Sequence, residues 1–213
     1  MIEELKERLS KLLQQELPGE YAHSMMMPMV RGNNLKKPRG EFPPIKSAVL
    51  ILFYPDEYGH IKFPLIQRPE YNGAHSSQIS LPGGKKELQD INLAHTALRE
   101  AKEEIGIDPS QVEVIGNLSD IFIWVSNYIV TPIIGLTRNK PDFEKDEQEV
   151  DTIIETDLFD LIDPSKRKEG TILARGKYKI KTPYFHIEDR IVWGATAMML
   201  SELSVIVGKA KIF

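Results

Sequence analysis

Glu100, Glu103 and Glu104 crowd into the short segment REAKEEIG. Positions three and four apart are neighbours on a helix, so the three carboxylates share one face. Like charges that close raise one another's pKa unless a cation compensates them. A hard divalent cation such as Mg²⁺ takes oxygen ligands of this kind. Upstream, Pro82-Gly83-Gly84 forms a turn whose glycines can bring a bare backbone carbonyl to the same cation. The chemistry this implies is a metal held by carboxylates, with a phosphate behind the metal. Taken alone, EAKEE suits a solvated helix face, and Lys102 offers ordinary surface pairing. The ordered combination of turn, spacer, Arg99-Glu100, Glu103-Glu104 and Gly106 favours the metal.

The carboxylates need a helix to hold them. Asp90 or Asn92 can cap its start, and Gly106 suits the residue just past its end. Ala94, Leu98, Ala101 and Ile105 fall on one stripe and suit a core. The small Ala94, Ala97 and Ala101 let the helix lie close against a sheet. Around it, Ile2, Leu5, Leu9, Leu12 and Leu13 predict an amphipathic helix over residues 2–16. Residues 18–44 read as an irregular arm whose methionines, Met25 to Met29, fill an uneven apolar seam. SAVLILFY and IKFPLIQR form a strand pair, and QISL, VEVIGNL, IFIWV and YIVTPIIGL add further strands. VDTIIETDLFDLI reads as a short strand and a helical turn stopped at Pro164, YKI and TPYFHI as a late hairpin, and residues 194–207 as a helix. The order is mixed α+β, without the regular alternation of a doubly wound sheet.

Composition narrows the partners. The chain has 213 residues, a formal net charge of −4 and no cysteine. A length of this order buries a substantial core in one domain. The acidic balance argues against a general nucleic-acid grip. The basic clusters Lys36, Lys37, Arg39 and Lys166, Arg167, Lys168 read mostly as solvated surface. Without cysteine there is no disulfide, thiolate nucleophile or zinc-thiolate site, which fits a reducing compartment. The charged N-terminus has no signal-peptide core, and the apolar stretch from Trp193 to Val207 is broken by Ser201, Glu202 and Ser204. The expectation is a cytoplasmic protein with no membrane partner. The apolar stripe of the N-terminal helix leaves two partners open, a second copy in a homodimer or the chain itself.

With these residues in place, the sequence resembles the Nudix hydrolases. Their signature runs Gly, five residues, Glu, seven residues, then Arg-Glu-apolar-any-Glu-Glu-any-Gly-apolar. Residues Arg99 to Ile107 match its second half throughout, whereas five residues lead from Gly84 to Asp90 instead of Glu, and eight precede Arg99. That longer spacer is similar to the coenzyme A pyrophosphatase branch. LIQRPEYNGAHSSQISLPGG resembles the branch's upstream motif, with Arg68 and Gln78 in step, although Tyr71-Asn72 and Ser77 replace its usual Leu-Arg pair and Gly. YFHIEDRIVWGATAMML is similar to its C-terminal segment.

The resemblance implies a Nudix-type α/β/α sandwich with a mixed sheet and N- and C-terminal helices. The hydrolase domain would span residues 47–213, and residues 1–46 would be the helix and arm. It further implies Mg²⁺- or Mn²⁺-dependent hydrolysis of a nucleoside-diphosphate-linked small molecule by attack of water on phosphorus. Coenzyme A, in free, oxidised or acyl form, would give 3′,5′-adenosine diphosphate and a 4′-phosphopantetheine. ADP-ribose, NADH or a sugar nucleotide is the alternative, and a non-catalytic nucleotide sensor would be expected to lose box carboxylates that this chain keeps. Glu100 and Glu104 would be the main metal ligands, with Glu103 assisting and a Gly83 or Gly84 carbonyl completing the set. Arg99 would orient the glutamates through Asp90, or be an exposed helix pair worth little. The general base would be Glu100, or Glu147 or Glu149 from FEKDEQEVD, with the family pattern favouring Glu149. Arg68 and Gln78 would meet substrate; for Arg68 a strand-end salt bridge is equally open. His75 is placed to touch a phosphate or serve structure, and Trp124, Tyr128, Tyr184 and Phe185 to stack a base or fill the core.

Overall fold

Strand β1 (Ile45–Pro55) divides the molecule by its alternation. Ala48, Leu50 and Leu52 enter one apolar cluster, while Ile51 and Phe53 enter another on the opposite face. Successive strand residues point to opposite sides, so a strand apolar at nearly every position must be covered on both. The computed structural model describes residues 1–29, 43–69, 78–174 and 178–210. His75, Tyr71, Asn72, Ser77, Lys36, Lys37 and Arg39 lie outside the described residues.

β1 pairs in parallel with β7 (Tyr128–Leu136), from Ile45 opposite Tyr128 to Phe53 opposite Leu136. On its other side β4 (Gly83–Lys85) runs antiparallel beside Ser47 to Val49. β2 (Ile61–Gln67) pairs with the far end of β1 and is itself flanked by β3 (Ile79–Ser80) and β8 (Thr152–Asp157). β5 (Glu113–Asn117) and β6 (Ile121–Ile123) complete this mixed sheet along β7. β9 (Arg167–Ala174), β10 (Tyr178–Ile187) and β11 (Arg190–Val192) form a separate antiparallel sheet.

Helix α3 (Leu93–Ile105) covers one face of the mixed sheet through Ala97, Ala101 and Ile105, each fully buried. On the opposite face, α1 (Ile2–Leu12) buries Leu5 and Leu9 in the same cluster as Leu200, Leu203 and Val207 of α4 (Gly194–Ala210). The result is α+β, with a mixed sheet and terminal helices. The apolar stripe of α1 is therefore covered by its own chain. Among the described residues, no helix is long and apolar enough to cross a membrane.

Several local expectations are corrected. The N-terminal helix ends at Leu12 rather than residue 16, and the arm contains a second helix, α2 (Gly19–Ser24). Met26 fills the core as expected, but Met27 and Met29 are exposed. YKI and TPYFHI are one strand, β10, whose partners are β9 and β11. Pro183 does not break it: that position pairs with Glu169 on one side, while β11 reaches only Phe185 to Ile187 on the other. A residue without an N–H fits a strand where one edge is open. Arg167 is not solvated surface either; it donates to Ser204 Oγ at 2.6 Å and lies 5.5 Å from the centre of the buried Phe185 ring.

Candidate active site

Helix α3 has defined ends. The Asn92 side chain accepts from His95 N–H at 2.8 Å, satisfying an otherwise unpaired first-turn donor. Gly106 closes the helix at φ 73°, and a Cβ there would lie 2.7 Å from the Glu144 carbonyl oxygen. Glycine alone suits both demands. The following loop returns along the helix end: Glu144 N–H donates to the Ile105 carbonyl and Asp146 N–H to the Glu104 carbonyl, each at 3.1 Å. These bonds bring residues 144–150 beside the carboxylate end of α3.

Asp90 organises the start of the site from a buried position. Its carboxylate accepts from Arg99 Nε at 3.0 Å and Nη2 at 3.1 Å, from Glu87 N–H at 2.9 Å and from Thr96 Oγ1 at 3.0 Å. The bonds from Arg99, against the cost of burial, hold its pKa well below the usual carboxylate range, and the same pairing raises that of Arg99. Arg99 then reaches outward, to Glu100 Oε1 at 2.9 Å, Glu103 Oε2 at 2.8 Å and the Lys85 carbonyl at 3.1 Å. The planar guanidinium makes these contacts at once, which an ammonium cannot. Arg99 is thus a mostly buried hub rather than an exposed helix pair.

Glu104 departs from the expected open acidic face: it is 1% exposed. Its Oε2 accepts from Gly83 N–H at 2.7 Å and its Oε1 from Arg68 Nη2 at 3.2 Å. Burial pushes its pKa up to about 7; Arg68 and the Gly83 N–H oppose that shift, and the charges of Glu100 and Glu149 add to it. Burial likewise raises Glu100, with Arg99 opposing and Glu103 and Glu149 adding. Glu103 is the outermost of the three, its side chain 55% exposed.

The Pro-Gly-Gly segment is a strand edge as well as a turn. At Gly84 a Cβ would overlap the Glu100 carboxyl group, so the missing side chain is what lets that carboxylate reach the backbone. Gly83, at φ 151°, has no room either, because a Cβ there would strike the Ala48 carbonyl. The Gly83 carbonyl faces Arg68 Nη2 at 3.5 Å.

Of the acids in the loop, Glu149 stands near enough to act on both Glu100 and Glu104. Glu147 instead pairs with Lys145 at 2.9 Å and is 78% exposed. Arg68 N–H donates to the Gln78 carbonyl at 3.1 Å, extending the β2–β3 ladder and placing the two residues side by side. Phe185 is fully buried and Trp124 is 41% exposed, so of these two only Trp124 presents a ring to solvent.

The oxygen-rich donor set fits a hard divalent cation in kind. Among the described residues, no three carboxylate or imidazole groups converge into a finished coordination sphere; Arg68 and Arg99 hold these carboxylates instead. Two polar side chains escaped the sequence reading. Thr96 gave no signal beyond its place one turn before Arg99-Glu100, and Ser80 lies on the face of the β2–β3 pair that carries Ile66 and Arg68. The Ser80 hydroxyl is buried without a hydrogen-bond partner among the described residues, an orphan polar atom on the side of the sheet facing the carboxylates.

Known proteins agree with this architecture. The chain is 35% identical over 175 residues to Nudix hydrolase 15, mitochondrial, of Arabidopsis thaliana, an alignment covering 78% of this chain and 60% of that protein. It is 34% identical over 140 residues to the Nudix hydrolase NudL of Yersinia enterocolitica, covering 66% of this chain and 71% of that one. The chain thus spans less than two thirds of the length of the Arabidopsis relative. The crystal structure of RenU, a Nudix hydrolase from M. smegmatis, is similar in fold, with a TM-score of 0.54 at 13% identity over 81% of this chain and 89% of that one. The NUDIX domain model matches residues 44–174, a span that holds the mixed sheet, α3, Arg68, Asp90 and all four glutamates of the site. The chain belongs to the Nudix hydrolase family.

Proposed function

We propose that the chain hydrolyses a nucleoside-diphosphate-linked small molecule with Mg²⁺ or Mn²⁺, and that its substrate is coenzyme A in free, oxidised or acyl form. The observation that carries the reading is the meeting of Glu100, Glu104 and the Gly83-Gly84 backbone beneath Arg68, with Glu149 beside them. Glu100 and Glu104, assisted by Glu103 and a Gly83 or Gly84 carbonyl, would hold the metal. When bound, such a cation screens diphosphate oxygens and lowers the pKa of water. Arg99 is the positioning residue, because Asp90 fixes its guanidinium and Arg99 in turn fixes Glu100 and Glu103. Glu149 is the general base on this reading: it carries an acceptor to the rim of the site and, among the described residues, makes no ion pair of the kind Glu147 makes. Arg68 and Gln78 bind substrate. The reaction adds water across the diphosphate, its oxygen joining one phosphorus while the bridging oxygen leaves with the other. The coenzyme A assignment is supported by Asp90 at its longer spacing and by the segments around Arg68 and Trp193. Residues 47–213 form the hydrolase domain and residues 1–46 its helix and arm, working in the cytoplasm on a small nucleotide rather than nucleic acid.

The test is a panel of coenzyme A, its oxidised and acyl forms, ADP-ribose, NADH and a sugar nucleotide, incubated with Mg²⁺ or Mn²⁺ and read by mass spectrometry. The expected result is a phosphopantetheine product that disappears in Glu104→Gln. Cleavage of ADP-ribose or NADH alone would discard coenzyme A and keep the hydrolase; cleavage of nothing would discard both.

A further inference from the structure

Arg68 occupies an unusual place. Its Nη2 lies 3.2 Å from Glu104 Oε1 and 3.5 Å from the Gly83 carbonyl oxygen. These are a carboxylate and a backbone carbonyl of the set assigned above to the divalent cation, so two of its oxygens already face a cation belonging to the chain. The reason is physical. A carboxylate as buried as Glu104 is costly to keep ionised without a counter-ion, and the Gly83 N–H alone brings no formal charge.

The site's other arginine is held differently. Arg99 is pinned by both oxygens of buried Asp90 and by the Lys85 carbonyl, and its side chain is 15% exposed. It can release Glu100 or Glu103 and still be held. Among the described residues the Arg68 guanidinium has no hydrogen bond or ion pair beyond those to Glu104 and Gly83, and its side chain is 29% exposed at the end of β2.

We propose that Arg68 is an exchangeable counter-ion: it neutralises Glu104 in the metal-free protein, yields that place when the divalent cation binds, and turns its guanidinium to the substrate's diphosphate. The inference rests on the metal site and diphosphate substrate proposed above. It joins the two readings of Arg68, strand-end salt bridge and substrate contact, as successive states of one side chain. It also couples the ligands. While Arg68 is bound to Glu104 it is withheld from phosphate, so metal should tighten substrate binding, and substrate must tighten metal binding by the same factor.

The experiment uses the full chain freed of metal. Mn²⁺ binding is measured by electron paramagnetic resonance without substrate, for the wild type, Arg68→Gln and Arg68→Lys. In parallel, the arginine Nε–H resonances of ¹⁵N-labelled protein are followed while Mg²⁺ is added, with the Arg68 signal assigned by its loss in Arg68→Lys. Arg68→Gln should bind Mn²⁺ more tightly, on the order of tenfold, and the Arg68 resonance should move on Mg²⁺ binding while that of Arg99 keeps its Asp90-bonded position. Removing any nearby positive charge would tighten Mn²⁺ somewhat, so the moving resonance is the discriminating readout. An Arg68 signal that stays in place at Mg²⁺ saturation, or Mn²⁺ affinity unchanged in Arg68→Gln, overturns the exchange and leaves the metal site standing. Absence of Mn²⁺ binding in all three proteins overturns the metal site itself, and the exchange with it.

Discussion

Glu104 is an acid held where its charge is hardest to keep, and that has a consequence for stability that needs no substrate to observe. Burial is the leading cause that pushes its pKa from an ordinary 4.5 up to about 7. A carboxyl group whose folded pKa is raised binds its proton more tightly in the folded chain than in the unfolded one. Its contribution is therefore fully present below the ordinary value and is lost as pH rises through about 7. Metal-free wild type should lose stability across that window, and Glu104→Gln, which keeps the shape without the charge, should lose less. Urea unfolding at a series of pH values checks this; parallel curves for the two proteins would mean that Glu104 does not titrate there. At this scale the sequence was informative where spacing carries chemistry. Arg99, Glu100, Glu103 and Glu104 were readable because a helix makes neighbours of residues three and four apart. That Glu104 is buried while Glu103 stays exposed was not, because the difference depends on how far the Gly83-Gly84 edge overhangs the helix. Thr96 and Ser80 were silent for a similar reason: a lone hydroxyl has meaning only once the fold supplies its surroundings.

At the scale of elements, the two glycines of β4 look alike in sequence and do different work. Gly83 is confined by backbone, since a Cβ would strike the Ala48 carbonyl at a φ of 151°. Gly84 is confined by a side chain, the Glu100 carboxyl. Backbone cannot give way and a side chain can, so alanine should act differently at each. Gly83→Ala should destabilise the fold by about 3 kcal/mol, visible as a shift in the urea midpoint. Gly84→Ala should cost little stability, yet push Glu100 off the strand edge and weaken Mn²⁺ binding. Equal losses of stability would refute the distinction. The sequence showed a turn at these residues but not a strand, because three residues carry no period. Nor did it show that β10 continues through Pro183, since whether a proline ends a strand depends on which edge is open. Other elements were readable, α3 from its caps and small-residue stripe and β1 and β7 from their apolar runs, whereas β9 was not read as a strand and α1 stops short of its expected end.

Across the whole molecule, the polar residues that interrupt the apolar run of α4 are its points of attachment. Ser201 donates to the Ala22 carbonyl at 2.8 Å, and Ser204 accepts from Arg167 at 2.6 Å. Glu202, fully buried, accepts from Ser119 Oγ at 2.6 Å, from Gly19 N–H at 3.1 Å and meets His23 Nε2 at 2.9 Å. In the sequence these residues mattered only as breaks in a membrane span; the contacts that explain them lie from 37 to 183 positions away in the chain. One carboxylate thus fastens α2 and the segment before β6 to α4, on the face of the sheet opposite the carboxylate helix. Burial alone would raise the Glu202 pKa, but His23, Ser119 and the Gly19 N–H together bring it below the ordinary value. A carboxyl group with a lowered folded pKa stabilises above its unfolded value, and that contribution is lost as pH falls through the folded one. Glu202→Ala should therefore destabilise by about 3 kcal/mol near neutral pH, the scale of breaking a buried pair and leaving its partners unsatisfied. The gap from wild type should close in acid, below the ordinary glutamate value of about 4.5. Because the fastening lies across the sheet from α3, Mn²⁺ affinity of the folded variant should match the wild type. Urea midpoints from about pH 3, below the ordinary glutamate value, up to about pH 8, together with Mn²⁺ titration at neutral pH, decide the matter. A gap that persists unchanged into acid would assign the loss to packing rather than to the charge of Glu202, and a weakened Mn²⁺ site would show that the two faces of the sheet are coupled.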